Sequence, residues 1–123
     1  MTKILLVDDE SNVLLTLQMV FEREGYEVTT AASCAEALQM LGDNGHFDAV
    51  VTDLNMETEN IGLEVAQTAL AQRPRPVVVV CTGYSSISNS RAALNMGVDY
   101  MAHKPMELLE LISALNRLIG LRD

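Results

Sequence analysis

Four consecutive valines followed by a cysteine, Val77-Val78-Val79-Val80-Cys81, form the most apolar stretch of the chain and constrain its fold most. An unbroken row of β-branched residues reads as a strand with apolar side chains on both faces. Such a strand needs cover on both sides, so it belongs near the middle of a sheet with helices above and below. Pro74 and Pro76 stand just before the run and stop the helical pattern that precedes it.

Four other runs share this character. Residues 3–7 are β-rich and meet Asp8-Asp9-Glu10 at once, and residues 27–31 make a second short run. Ala49-Val50-Val51-Thr52-Asp53-Leu54-Asn55-Met56 turns abruptly from apolar residues to an acid, and Tyr100-Met101-Ala102-His103 is ended by Lys104-Pro105. Between the runs the apolar spacing becomes helical. Val13, Leu14, Leu17, Val20 and Phe21 share one face of a helix that starts at Ser11 and stops at Gly25. Ser33-Cys34-Ala35-Glu36 has the form of a capping box and opens a helix through Ala37, Leu38 and Leu41 that ends at Gly42. Leu63, Ala66, Ala69 and Leu70 mark a third helix. A weakly patterned fourth spans about 86–96, with Ala92, Ala93 and Met96 inward and Gly97 as its stop. Leu108, Leu111, Ile112, Leu115, Leu118 and Ile119 line the last. Strands alternating with helices predict an α/β fold: a parallel sheet with right-handed crossovers and helices on both faces. The length of 123 residues fits one domain, 1–123.

Composition narrows the chemistry. Hydrophobic residues make up 49% but aromatics only 4%, so the core is aliphatic. Eight basic against seventeen acidic residues give a formal charge of -9, which repels nucleic acid and favours cationic partners or metal ions. No apolar run approaches the roughly 20 residues of a membrane span. Met1-Thr2-Lys3 runs into a strand without a signal-peptide core, so a cytoplasmic protein is expected. Cys34 and Cys81 lack metal-site spacing and are expected to be buried free thiols.

In an open parallel sheet, ligands bind where the strands end at their carboxyl edge. Asp8, Asp9, Asp53, Thr82 and Lys104 all fall at that edge. Any one of these acids alone could be a turn former or a helix cap. Three acids crowded together repel one another unless a cation joins them, and hard oxygen donors suit magnesium (Mg2+). Lys104 and Thr82 add a point charge and a donor of the kind a phosphoryl group needs. The edge can hold a metal ion and a phosphate side by side.

Ile4-Leu5-Leu6-Val7-Asp8-Asp9-Glu10, Val51-Thr52-Asp53-Leu54-Asn55-Met56, Thr82-Gly83 and Lys104-Pro105, in this order and spacing, resemble the receiver domain of two-component response regulators. The resemblance covers nearly the whole chain. It implies a flavodoxin-like (βα)5 three-layer sandwich with strand order 2-1-3-4-5. It also implies that Asp53 accepts a phosphoryl group from the phosphohistidine of a sensor histidine kinase or phosphotransfer protein. By the same resemblance, Asp9 binds Mg2+ directly with Asp53 and the backbone carbonyl of Asn55, and Asp8 supports the ion indirectly. Thr82 binds the phosphoryl oxygen, Lys104 pairs with the acidic cluster, and the Lys104-Pro105 bond is cis. Phosphorylation then remodels the face made by the fourth helix, fifth strand and fifth helix, with a phosphorylation-linked dimer as one outcome. Catalysis is limited to the chain's own phosphorylation and slow dephosphorylation.

The sequence departs from that pattern in places. Glu57 replaces a common proline, and the loop to Gly62 is one residue longer than usual. Met101 stands where an aromatic is usual, with Tyr100 beside it on the opposite face of the strand, and Tyr84 is expected to stand over the phosphorylation site and slow hydrolysis. His46 and His103 read as solvated, whereas Met106 and Leu109 are expected to contribute to a partner-binding patch. Two other functions are the alternatives. A phosphatase with an aspartate nucleophile expects Asp-x-Asp after the first strand, whereas here the candidate nucleophile, Asp53, follows the third. A binding module that has lost the chemistry fits poorly with Asp9, Asp53, Thr82 and Lys104 all present.

Overall fold

The apolar runs become strands β1 (Lys3–Val7), β2 (Glu27–Ala31), β3 (Ala49–Asp53), β4 (Val77–Thr82) and β5 (Tyr100–His103). The helical patterns become α1 (Ser11–Arg23), α2 (Cys34–Gly42), α3 (Gly62–Leu70), α4 (Ile87–Met96) and α5 (Leu108–Gly120). The computed structural model describes residues 2–43, 45–56, 61–83, 87–103 and 108–121. Every strand pairing is parallel, and the order is β2-β1-β3-β4-β5. β3 lies at the centre with the valine-rich β4 beside it, and both are buried from end to end. This is the expected consequence of continuous apolar runs.

Alternation of side chains along the strands divides the interior in two. Ile4, Leu6, Val51, Val77 and Val79 face α1 and α5, where Phe21, Leu111 and Leu115 pack over them. Leu5, Val7, Val50, Val78 and Val80 face the other way, under α2, α3 and α4, against Leu41, Val65 and Ala93. The inner face of α3 is set by Gly62, Val65, Ala66 and Ala69, whereas Leu63 and Leu70 are only partly buried. Small residues let this helix approach the sheet closely, so the large leucines of the sequence pattern sit at the flanks.

The ends of the elements follow from local chemistry. Gly25 and Gly97 take positive φ angles of 91° and 95° just after α1 and α4, a conformation that L side chains rarely adopt. The capping box at α2 forms in a modified way. Ser33 Oγ accepts the Glu36 N–H at 3.1 Å, but the Glu36 carboxylate accepts from Ala32 N–H at 2.7 Å, one residue beyond the capping position. At the amino end of β4, Asp99 makes a reciprocal pair with Val78. Its N–H donates to the Val78 carbonyl at 2.8 Å, and its carboxylate accepts from the Val78 N–H at 2.7 Å. Arg75 pairs with the same carboxylate at 3.2 Å and donates to the Gly97 carbonyl at 2.9 Å.

The Arg73-Pro74 bond is cis, and Lys104-Pro105, where a cis bond was expected, lies outside the described residues. Among the described residues no helix is long and apolar enough to cross a membrane.

Candidate functional site

Sheet register assembles the carboxyl edge. Val7 pairs with Thr52, so the next residues along the two strands, Asp8 and Asp53, come side by side. Asp53 pairs in turn with Cys81, and Thr82 with His103. Two acids from distant parts of the sequence thus meet at the centre of the sheet, where Asp8 is 4% and Asp53 6% exposed. Thr82 is 1% exposed, and its hydroxyl donates to the Gly83 carbonyl at 3.2 Å.

Asp8 does not cap α1. The N-cap residue is Glu10, without a side-chain cap bond, and Asp8 Oδ1 accepts the Glu10 N–H at 2.9 Å. That bond turns the chain outward after β1, so that Asp9 and Glu10 are exposed above the buried Asp8. One carboxylate oxygen from each of Asp8, Asp9 and Glu10 lies within 4.8 Å of the others. An all-oxygen donor set of this kind fits a hard divalent cation. Glu10 had no assigned role in the sequence reading; its adjacency to the two aspartates was the available signal.

The backbone leaving β3 is firmly held. The Asp53 carbonyl accepts from the Thr52 hydroxyl at 3.1 Å, and Leu54 N–H donates to the Cys81 carbonyl at 2.8 Å. The Leu54 carbonyl then accepts the Gly62 N–H at 2.9 Å. Asn55 follows, half-buried, with its backbone direction set by these contacts.

The remaining site residues sort simply. Met101 packs on the α2–α3–α4 side of the sheet and Tyr100 on the α1–α5 side, the opposite faces expected from alternation. Lys104, Pro105, Tyr84, Met106 and Glu57 lie outside the described residues. His46 and His103 are exposed, and Leu109 is 80% exposed on α5. Cys34 and Cys81 are buried thiols outside any disulfide. Away from the edge, burial and the neighbouring Glu24 charge raise the Tyr26 phenol above its ordinary pKa. Its hydroxyl donates to Asn116 Oδ1, tying the turn after α1 to α5.

Residues 4–116 match the response regulator receiver domain family. The chain is 35% identical over 120 residues to the transcriptional regulatory protein PrrA of Mycobacterium tuberculosis, covering 98% of this chain and 51% of PrrA. It is 32% identical over 119 residues to the response regulator SaeR of Staphylococcus aureus, covering 97% and 51%. The chain therefore spans about half the length of the curated relatives it matches. Among solved structures, a CheY-like receiver domain protein from Methanospirillum hungatei superposes with a TM-score of 0.88 at 31% identity, covering 98% of this chain and 94% of that one. A receiver domain protein from Clostridium thermocellum gives 0.89 at 30% identity, covering 99% and 97%.

Proposed function

The chain belongs to the response regulator receiver domain family, and from that premise we propose that Asp53 is its phosphoryl acceptor in a two-component signalling pathway. The observation that carries this reading is the register. Val7 opposite Thr52 sets a nearly buried Asp53 beside Asp8 at the carboxyl edge of the central strand. Receiver domains of this family bind Mg2+ at an acidic cluster, and Asp8, Asp9 and Glu10 form such a cluster here. We assign direct binding to Asp9, Asp53 and the Asn55 carbonyl, with Asp8 in support. When bound there, Mg2+ supplies positive charge that offsets charge building on the transferred oxygens.

The chain's own residues do the rest. An Asp53 carboxylate oxygen forms a bond to phosphorus as the bond from phosphorus to the kinase imidazole breaks, and the imidazole nitrogen leaves with the electron pair. Burial keeps the carboxylate poorly solvated and fixed in direction. Thr82 donates to one phosphoryl oxygen and Lys104 offers its ammonium to another. The partner is a sensor histidine kinase or phosphotransfer protein, and chemistry is confined to the chain's own phosphorylation and slow dephosphorylation. Signal leaves through the α4, β5 and α5 face, where Met101 takes the place of an aromatic.

Intact-mass measurement after incubation with acetyl phosphate and Mg2+ tests the reading. The protein should gain one phosphoryl group, while Asp53→Asn and Asp9→Ala should gain none. Full-rate modification in EDTA, or phosphate on the Asn variant, would remove the basis for these assignments.

A further inference from the structure

Thr52 poses a question that its strand does not answer. Its side chain is fully buried in a strand whose preceding residues are Ala49, Val50 and Val51. Valine has nearly the same shape and no hydroxyl to desolvate, a burden of about 1–3 kcal/mol when a polar group is buried without a partner. The hydroxyl's bond is to the carbonyl of Asp53, the next residue.

Gly62 converges on the same atom. A Cβ added to Gly62 would lie 1.9 Å from the Asp53 carbonyl oxygen, 2.8 Å from Leu54 Cα and 2.9 Å from the Asp53 carbonyl carbon. All three are backbone atoms, so no side chain can swing aside. The positive-φ glycines are Gly25 and Gly97, so Gly62 is here for space and not for a left-handed turn.

Building on the reading of Asp53 as acceptor, we propose that Thr52 and Gly62 are positioning residues for it. They fix the peptide plane between Asp53 and Leu54. Thr52 holds its carbonyl, Gly62 lets α3 close against it, and Cys81 holds its N–H from β4. The plane has two dependents. Upstream it sets the tetrahedral frame at the Asp53 Cα, and hence where the carboxylate points. Downstream, Leu54 continues from it with its own carbonyl held by the Gly62 N–H, and leads to the Asn55 carbonyl. One anchored peptide therefore sets the spacing between the acceptor oxygen and the carbonyl assigned to the metal.

The test compares Thr52→Val, Thr52→Ser and Gly62→Ala with the natural protein. The readouts are the phosphorylation rate from acetyl phosphate, the thermal midpoint, and the amide and carboxyl NMR shifts of the metal-free protein. Thr52→Val should melt at or above the natural midpoint yet be phosphorylated roughly five- to tenfold more slowly, the equivalent of one neutral hydrogen bond. Its shifts should be confined to Asp53, Leu54, Asn55 and their neighbours in the sheet. Thr52→Ser, which restores the donor, should recover the rate to within about twofold. Gly62→Ala should displace the Asp53 and Leu54 signals further and lose phosphorylation; a natural rate in this variant would overturn its role. If Gly62→Ala fails to fold, the Thr52 pair decides. A natural rate in Thr52→Val, or no recovery with Ser, overturns the positioning role. Failure of the natural protein to be phosphorylated instead overturns the reading of Asp53.

Discussion

Removing the Asp99 carboxylate should unfasten the amino ends of β4 and β5, and the distances show which of its contacts matters. Its bond from the Val78 N–H is 2.7 Å, joins two paired strands, and involves an ionised acceptor. Losing such a bond costs about 1.5–3 kcal/mol, and the backbone N–H left unsatisfied raises that by about 1 at most. The ion pair to Arg75 is also close, at 3.2 Å, but the two side chains are 35% and 22% exposed. Partly solvated pairs of this kind contribute about 0–1 kcal/mol. The hydrogen bond therefore outweighs the charge. Asp99→Ala should lower unfolding free energy by about 2–4 kcal/mol, while Asp99→Asn, which keeps an acceptor, and Arg75→Ala should each lose about 1. Urea unfolding followed by circular dichroism, with the denaturant slope unchanged across the set, measures all three. Equal losses for Arg75→Ala and Asp99→Ala would show that the ion pair dominates, and a loss below about 0.5 kcal/mol for Asp99→Ala would refute the ranking altogether.

Two further outcomes are expected. Burial first, and the Glu24 charge second, hold the Tyr26 phenol above its ordinary pKa, so the folded state keeps this proton longer than the unfolded chain does. The associated stability is complete below the unfolded phenol's pKa of about 10 and drains away as pH rises through the higher folded value. Tyr26→Phe should flatten that alkaline decline, and an unchanged slope between the two proteins would rule out the assignment. Met101, unbranched and adaptable, should define the resting and activated states less sharply than a ring. Amide spectra with beryllofluoride should show partial conversion in the natural protein and fuller conversion in Met101→Tyr; a single sharp activated state in both would count against the idea.

The fold was legible because a sheet covered on both faces writes its strands as unbroken apolar runs, and Val77 to Cys81 needed no context to be read. The order of those strands was not in the residues. It came from the resemblance, since nothing in β1 itself says that β2 and β3 will flank it. Asp8 and Asp53 were legible as candidate site residues because several apolar runs end on polar groups at one sheet edge, which a lone turn former or cap does not explain. Thr52 was passed over as one more β-former, and Gly62 as the end of a polar loop. The importance of both lies at the Asp53 carbonyl, which Thr52 bonds from next door and Gly62 meets only once α3 folds back against it. Asp99 escaped notice for the same reason: an aspartate before a strand looks like any turn, until the register gives it Val78 as a partner.

The central sheet is also a partition wall. Phe21 and Leu115 share one room and Leu41 and Val65 the other, and only strand backbone and alternate side chains stand between them. A change of shape in one room reaches the other by bending the wall or by passing its carboxyl rim, where Asp8, Asp53 and Thr82 sit. Substitutions in different rooms, separated by the thickness of the sheet and sharing no neighbour, should therefore combine additively. A substitution that repacks the α2–α3–α4 chamber should then leave the packing of Phe21 and Leu115 in the α1–α5 chamber as it was.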